Sequence, residues 1–102
     1  MKTVDNPSFL TEDDKLRIMF SRNRGKIIKF IVQYYARIDG RWRTIIRIDN
    51  CHGTGHIHKY YLHKTEYWVK LGIDDNNKAF SEAKLLIKRD FQKFKENFLL
   101  SK

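Results

Sequence analysis

Hydrophobic and polar positions alternate along most of the chain as far as Leu71, then switch to a spacing of three and four. Alternation marks strands with one face on a core, whereas the wider spacing marks a helix. The longest alternating run is 26–38, with Ile28, Phe30, Val32, Tyr34, Ala36 and Ile38 on one face and Lys29, Gln33 and Arg37 on the other. Asp39-Gly40 is a hairpin signal. The returning strand, 41–49, puts Trp42, Thr44, Ile46 and Ile48 on an apolar face and Arg41, Arg43, Arg47 and Asp49 on a polar one, interrupted by Ile45.

The register of this hairpin follows from the pattern. A two-residue turn sets Val32 against Arg47 and Ala36 against Arg43, which mixes core with charge. A three-residue loop with a left-handed Gly40 pairs Arg37 with Arg41 instead. It sets Ala36, Tyr34, Val32 and Phe30 against Trp42, Thr44, Ile46 and Ile48. A one-residue slip turns a strand over, so the hydrophobic pattern favours the second register. It gathers Arg37, Arg41, Arg43 and Arg47 on one solvent face, with Asp49 at its end.

Upstream, Leu16, Ile18 and Phe20 alternate with Lys15, Arg17 and Met19, which reads as a short strand leading through Arg22-Asn23-Arg24-Gly25 into the next. Thr11 and Asp14 also have the spacing of a helix capping box. Residues 1–10 read as a flexible tail. Downstream, 56–63 reads as a third long strand and 67–71 as a short one. From 77 to 99, Phe80, Ala83, Ile87, Phe91, Phe94 and Phe98 form the stripe of an amphipathic helix. The expected fold is α+β in a single domain over 1–102. Its sheet region covers 11–72, an antiparallel meander of four to five strands, with one long C-terminal helix packed on one face.

Composition narrows the function. At 102 residues the chain suits one core. Its single cysteine excludes an internal disulfide framework and suits a reducing, cytoplasmic setting. No run has the length of a membrane span, and the first residues lack the apolar segment of a secretory signal. The net charge of +9 is the strongest global clue, since such an excess is the footprint of a phosphate-binding surface. RNA is the expected partner. Arg37, Arg41, Arg43 and Lys59 are the candidates for backbone contacts, and Tyr60 and Tyr61 for base stacking.

The candidate chemistry lies in 47–58. Three of the four histidines and the cysteine fall between Cys51 and His58, next to Arg47 and Asp49. Such a set suits metal-free RNA cleavage: among His52, His56 and His58, one takes the proton of a 2′-hydroxyl and another protonates the leaving 5′-oxygen. Arg47 stabilises charge on the phosphorane oxygens, and Asp49 fixes a histidine tautomer. A zinc alternative uses His52, His56 and His58, with Cys51 as fourth ligand, though the spacing matches no zinc finger or metalloprotease helix. A third possibility is structural, with histidines capping the loop and Cys51 a small buried filler. Gly53-Thr54-Gly55 lacks the lysine and spacing of a P-loop, and no cofactor is expected.

In order, Arg47, Asp49, Asn50, His52, His56 and His58 resemble the small TumE-type toxins of prokaryotic toxin–antitoxin operons, over roughly residues 28 to 60. Those proteins carry R-x-D-N-x-x-H-H and then H-H-x-H. This chain departs from the pattern in having His52 two positions after Asn50, a glycine after it, and a shorter gap to the second element. A neighbouring group of small proteins with R-x-D…H-G…H-x-H matches these features as well. The resemblance implies a cytoplasmic toxin acting on RNA and neutralised by a cognate antitoxin. A non-catalytic nucleic-acid-binding module, or an antitoxin, is the other reading of the same charge.

Overall fold

The computed structural model describes residues 2–51, 53–60 and 67–101. Six strands form one antiparallel meander: β1 (Lys2–Thr11), β2 (Asp14–Asn23), β3 (Lys26–Ile38), β4 (Arg41–Asp49), β5 (His56–Lys59) and β6 (Tyr67–Lys70). A 25-residue helix, α1 (Asn76–Leu100), follows. The α+β class and the helix agree with the sequence pattern, but the sheet has six strands rather than four or five. Residues 2–11 are not a tail. They form edge strand β1, with Pro7 opposite Arg17; an edge strand is where a sheet tolerates proline. Thr11 and Asp14 close the β1–β2 turn rather than opening a helix, with the Thr11 hydroxyl donating to Asp14 Oδ2 at 2.5 Å.

Both long hairpins use two-residue turns in which each central residue has positive φ: Arg24 and Gly25 at 53° and 77°, and Asp39 and Gly40 at the same values. This geometry matches the strand twist. The expected three-residue loop is therefore replaced by a tight one, pairing Ile38 with Arg41 and Ala36 with Arg43. The core is rescued by a bulge. Between Tyr34/Ile46 and Tyr35/Thr44 the register slips by one, with Ile45 as the extra residue, so Val32 still meets Ile48. Arg43 thus falls on the helix side, its guanidinium carbon 5.5 Å from the Phe98 ring centre, and Trp42 and Thr44 fall on the opposite side. A second slip, opposite Ser21/Arg22, buries Ile27 and leaves Ile28 50 % exposed, where the alternation expected Ile28 in the core.

The core lies between the helix and one face of β2–β5. Leu16, Phe30, Val32, Tyr34, Ala36, Ile45, Ile46 and Ile48 meet Ala79, Phe80, Ala83, Ile87 and Phe98. Asp75 caps α1 by accepting from the Lys78 amide at 3.0 Å. Asn77 ties the same end to the β2–β3 hairpin, accepting from the Ile27 amide at 2.8 Å and donating to the Gly25 carbonyl at 3.2 Å.

One polar group is buried inside this layer. The Tyr34 hydroxyl donates to Asp14 Oδ1 at 2.5 Å, and Lys95 reaches the same oxygen from the helix at 3.5 Å. Burial raises the Asp14 carboxyl pKa, but hydrogen bonds from Thr11 and Tyr34 and the Lys95 charge outweigh it, leaving the group below its ordinary 3.8. The Asp14 contribution to stability is therefore full above that pH and is lost as pH falls through the lower, folded value. Tyr34→Phe is expected to cost about 1.5–3 kcal/mol at neutral pH, the range for a hydrogen bond to a charged group. Urea unfolding at neutral and strongly acidic pH checks this: the gap from wild type should narrow in acid.

Candidate functional site

The helix covers one face of the sheet, and the candidate chemistry stands on the other. Beyond the Ile45 bulge, Ile46 and Ile48 point to the helix, so Arg47 and Asp49 point away from it. On β5, Ile57 opposes Ile48, which puts His56 opposite Asp49 and His58 opposite Arg47. Four candidates come together in this way, although their positions in the sequence span two strands and a loop.

Asp49 is the centre of the group and is fully buried. Its Oδ2 accepts from Arg47 Nε at 2.7 Å and lies 3.5 Å from His58 Nε2; its Oδ1 accepts from the Cys51 amide at 3.0 Å. A carboxylate out of water is tolerable only when compensated in this manner. The engaged atom of Arg47 is Nε, and 32 % of its side chain is exposed. The rings of His56 and His58 are 6.4 Å apart, centre to centre, and both residues are more than nine-tenths buried. Arg47 is therefore the side of the group that meets solvent.

The next residue explains how the corner is held. Asn50 accepts from the buried Phe30 amide at 2.9 Å through Oδ1 and donates to the Ile28 carbonyl at 3.0 Å through Nδ2. It satisfies backbone groups beside the Ile28 bulge and thereby anchors the exit of β4. In the Arg47-x-Asp49-Asn50 sequence, then, the asparagine is a structural clamp, and the arginine and aspartate are the charged pair. Cys51 reaches solvent rather than filling a cavity. Its thiol is raised above the ordinary value by partial burial and by the nearby Asp49 carboxylate, which makes it a poorer nucleophile.

His52 and Tyr61 lie outside the described residues, as does the 61–63 end of the expected third strand. The zinc set depends on His52. Among the described residues no group of three or more His, Cys, Asp or Glu side chains is placed to hold a metal ion.

The expected backbone-binding residues do not share one face. Arg37 stands on the open face, where Asp13 holds its guanidinium at 2.8 Å. Arg41 and Arg43 belong to the helix side. Lys59 and Tyr60 line a recess of about 220 Å³ beside Phe94 and Phe98, also on that side. The open face instead carries rows running across the strands. Pro7, Arg17, Gln33, Arg47 and His58 stand side by side on β1 to β5, and Asp5, Met19, Ile31, Asp49 and His56 form the next row. Lys15, Tyr35 and Trp42 lie at the other end of the face. Lys15, Arg17, Tyr35 and Trp42 were not grouped from the sequence, because Trp42 shares their side only through the bulge. Ile45, the apolar interruption of a polar face, was the available signal.

The family model described as "Domain of unknown function (DUF7718)" matches residues 1–102, and the chain belongs to that family. No curated protein and no solved structure matches it. Among the described residues, no helix is long and apolar enough to cross a membrane.

The Asn50 clamp makes a direct prediction. Asn50→Ala leaves a buried amide and a carbonyl unpaired and should cost about 2–4 kcal/mol in denaturant unfolding. Asn50→Asp should not restore it, because the carboxylate sets an acceptor against the Ile28 carbonyl. Amide exchange at Phe30 should accelerate in both variants.

Proposed function

We propose that this protein acts on RNA as a metal-independent endoribonuclease, the toxin of a toxin–antitoxin pair. The observation that carries the reading is the convergence of Arg47 and His58 on the buried Asp49 carboxylate, with His56 paired across the strands from Asp49, on the face of the sheet opposite the helix. A net charge of +9 supports a polyanionic substrate. The toxin assignment and a cognate antitoxin partner rest on the resemblance of Arg47, Asp49, Asn50, His52, His56 and His58 to the TumE-type pattern.

In this mechanism a phosphate meets Arg47 first, since that side chain reaches solvent. One histidine removes the 2′-hydroxyl proton as the oxygen attacks the adjacent phosphorus. A second donates a proton to the departing 5′-oxygen, leaving a 2′,3′-cyclic phosphate and a free 5′-hydroxyl. Attacking and leaving oxygens occupy opposite sides of phosphorus, so two separated groups are needed, and the 6.4 Å between His56 and His58 provides them. Asp49 orients His58 and offsets its charge once protonated. Arg47 neutralises the equatorial oxygens.

The burial of both histidines favours a second reading, a non-catalytic RNA-binding module in which the cluster is structural. A defined RNA incubated with and without EDTA separates the two. Cleavage is expected, unaffected by chelation. His58→Ala should reduce it by about a hundredfold or more, the usual contribution of an acid–base group. Arg47→Lys keeps the charge but loses the planar fork and the Nε bond to Asp49, and should cut the rate; urea unfolding of the same variant measures how much stability goes with it. Binding without cleavage by the folded wild type would favour the module; cleavage abolished by EDTA would favour zinc.

A further inference from the structure

At the far end of the open face, Asp5, Pro7, Lys15, Leu16, Arg17, Tyr35 and Trp42 line a concavity of about 530 Å³. This lies within the span of small-molecule sites, roughly 300–1,000 Å³. The aromatic rings in it are not core. Trp42 is turned away from the helix by the Ile45 bulge, and its neighbours there are Phe9, at 6.1 Å between ring centres, and two cations. Lys15 Nζ lies 4.4 Å from the Trp42 ring centre and 5.2 Å from that of Tyr35, and the Arg37 guanidinium carbon lies 5.6 Å from Trp42. Phe9 is 69 % exposed.

The charges around the rings are unequal in their commitments. Arg17 is held by Asp5 through two bonds, at 3.1 and 2.9 Å, and Arg37 by Asp13. Lys15 forms no ion pair among the described residues; its ammonium lies over the two ring faces. An aromatic wall, an ammonium group without a carboxylate and a recess closed by Pro7 and the Asp5–Arg17 pair make a receptor for a flat ring joined to a phosphate. Stacking needs an unpaired base, because in a duplex both faces are already covered.

We infer that this concavity is a base-binding subsite for single-stranded RNA, in which one unpaired nucleobase stacks on Trp42 and Tyr35 and the Lys15 ammonium moves from the ring faces to its phosphate. The inference rests on the RNA reading above and adds where the strand is gripped. Arg17 and Arg47 stand in the same cross-strand row, with Gln33 between them, so a strand laid across the face runs from the concavity toward Asp49 and the histidines. The stacked base therefore belongs to a nucleotide some steps along the strand from the scissile phosphate, and the subsite selects for absence of pairing at that position.

The probe is a short 2′-O-methylated RNA, which has no free 2′-hydroxyl to attack and so stays intact with wild-type protein. Its single-stranded and duplex forms, and a series with one base removed at each position, are titrated against wild type, Trp42→Ala and Lys15→Glu. Each variant is first shown to melt cooperatively. The single strand should bind better than the duplex. Trp42→Ala should weaken it about tenfold, the typical loss for one stacked base. Lys15→Glu should weaken it at least as much and reduce the salt dependence. Removal of the base at one position should mimic Trp42→Ala and add nothing in that variant, a coupling that loss of structure does not produce. Unchanged affinity in both variants, with Arg47→Ala still weakened, overturns the subsite and leaves the RNA reading intact. A wild type that binds neither form overturns both. Should Trp42→Ala fail to fold, Lys15→Glu and the abasic series decide.

Discussion

The single extra residue at Ile45 determines which side chains share a face, and the rest of the molecule depends on it. The Asp39-Gly40 turn enforces one register at the start of the β3–β4 hairpin, and the hydrophobic pairing of Val32 with Ile48 demands another. A bulge reconciles them. Both Ile45 and Ile46 then serve the core, Arg43 is drawn over Phe98, and Trp42 joins Arg47 and Asp49 on the opposite side. Without the slip, the aromatic concavity and the charged cluster would lie on different faces of the sheet. Bulges commonly re-aim side chains near functional sites, and here one bulge defines an entire surface.

The second constraint is electrostatic. Asp49 is a buried charge that needs Arg47, the Cys51 amide and His58 around it. These partners are brought together by β4–β5 pairing and held by Asn50 at the exit of β4. Removing one partner from such a group usually costs more than the group contributes, because the remaining charge stays buried. Arg47 is both a partner of Asp49 and the member open to solvent. An anion arriving at the face therefore meets a guanidinium whose orientation is already fixed, which lowers the entropic cost of binding.

What the sequence made legible follows the physics of each element. The helix was readable because apolar residues, four of them phenylalanines, repeat at its period from Phe80 to Phe98, and the structure extends the expected 77–99 span by one residue at each end. Strands β2 to β4 were readable from alternation, and the pairs Arg47/Asp49 and His56/His58 from their spacing of two. Strand β1 was not, because an exposed edge strand has no continuous apolar face and Pro7 argues against a ladder position. The registers were misread for one reason. A bulge inverts the alternation on one side of itself, so a pattern assumed continuous assigned Trp42, Thr44, Arg41 and Arg43 to the wrong faces. Ile28, next to the other bulge, was misassigned in the same way. The four arginines expected on one solvent face are therefore divided, Arg37 and Arg47 on the side away from the helix and Arg41 and Arg43 on the helix side, and Trp42 joins Lys15, Arg17 and Tyr35 on the former.

On the proposed mechanism, the Asp49-centred cluster cleaves RNA by activating a 2′-hydroxyl. End-group analysis of the products from a defined RNA is its most direct test. The expected products carry a 2′,3′-cyclic phosphate on one fragment and a 5′-hydroxyl on the other, with no cut where a single deoxynucleotide replaces the attacking ribose. Intact RNA, or fragments ending in 3′-hydroxyl and 5′-phosphate, would contradict it.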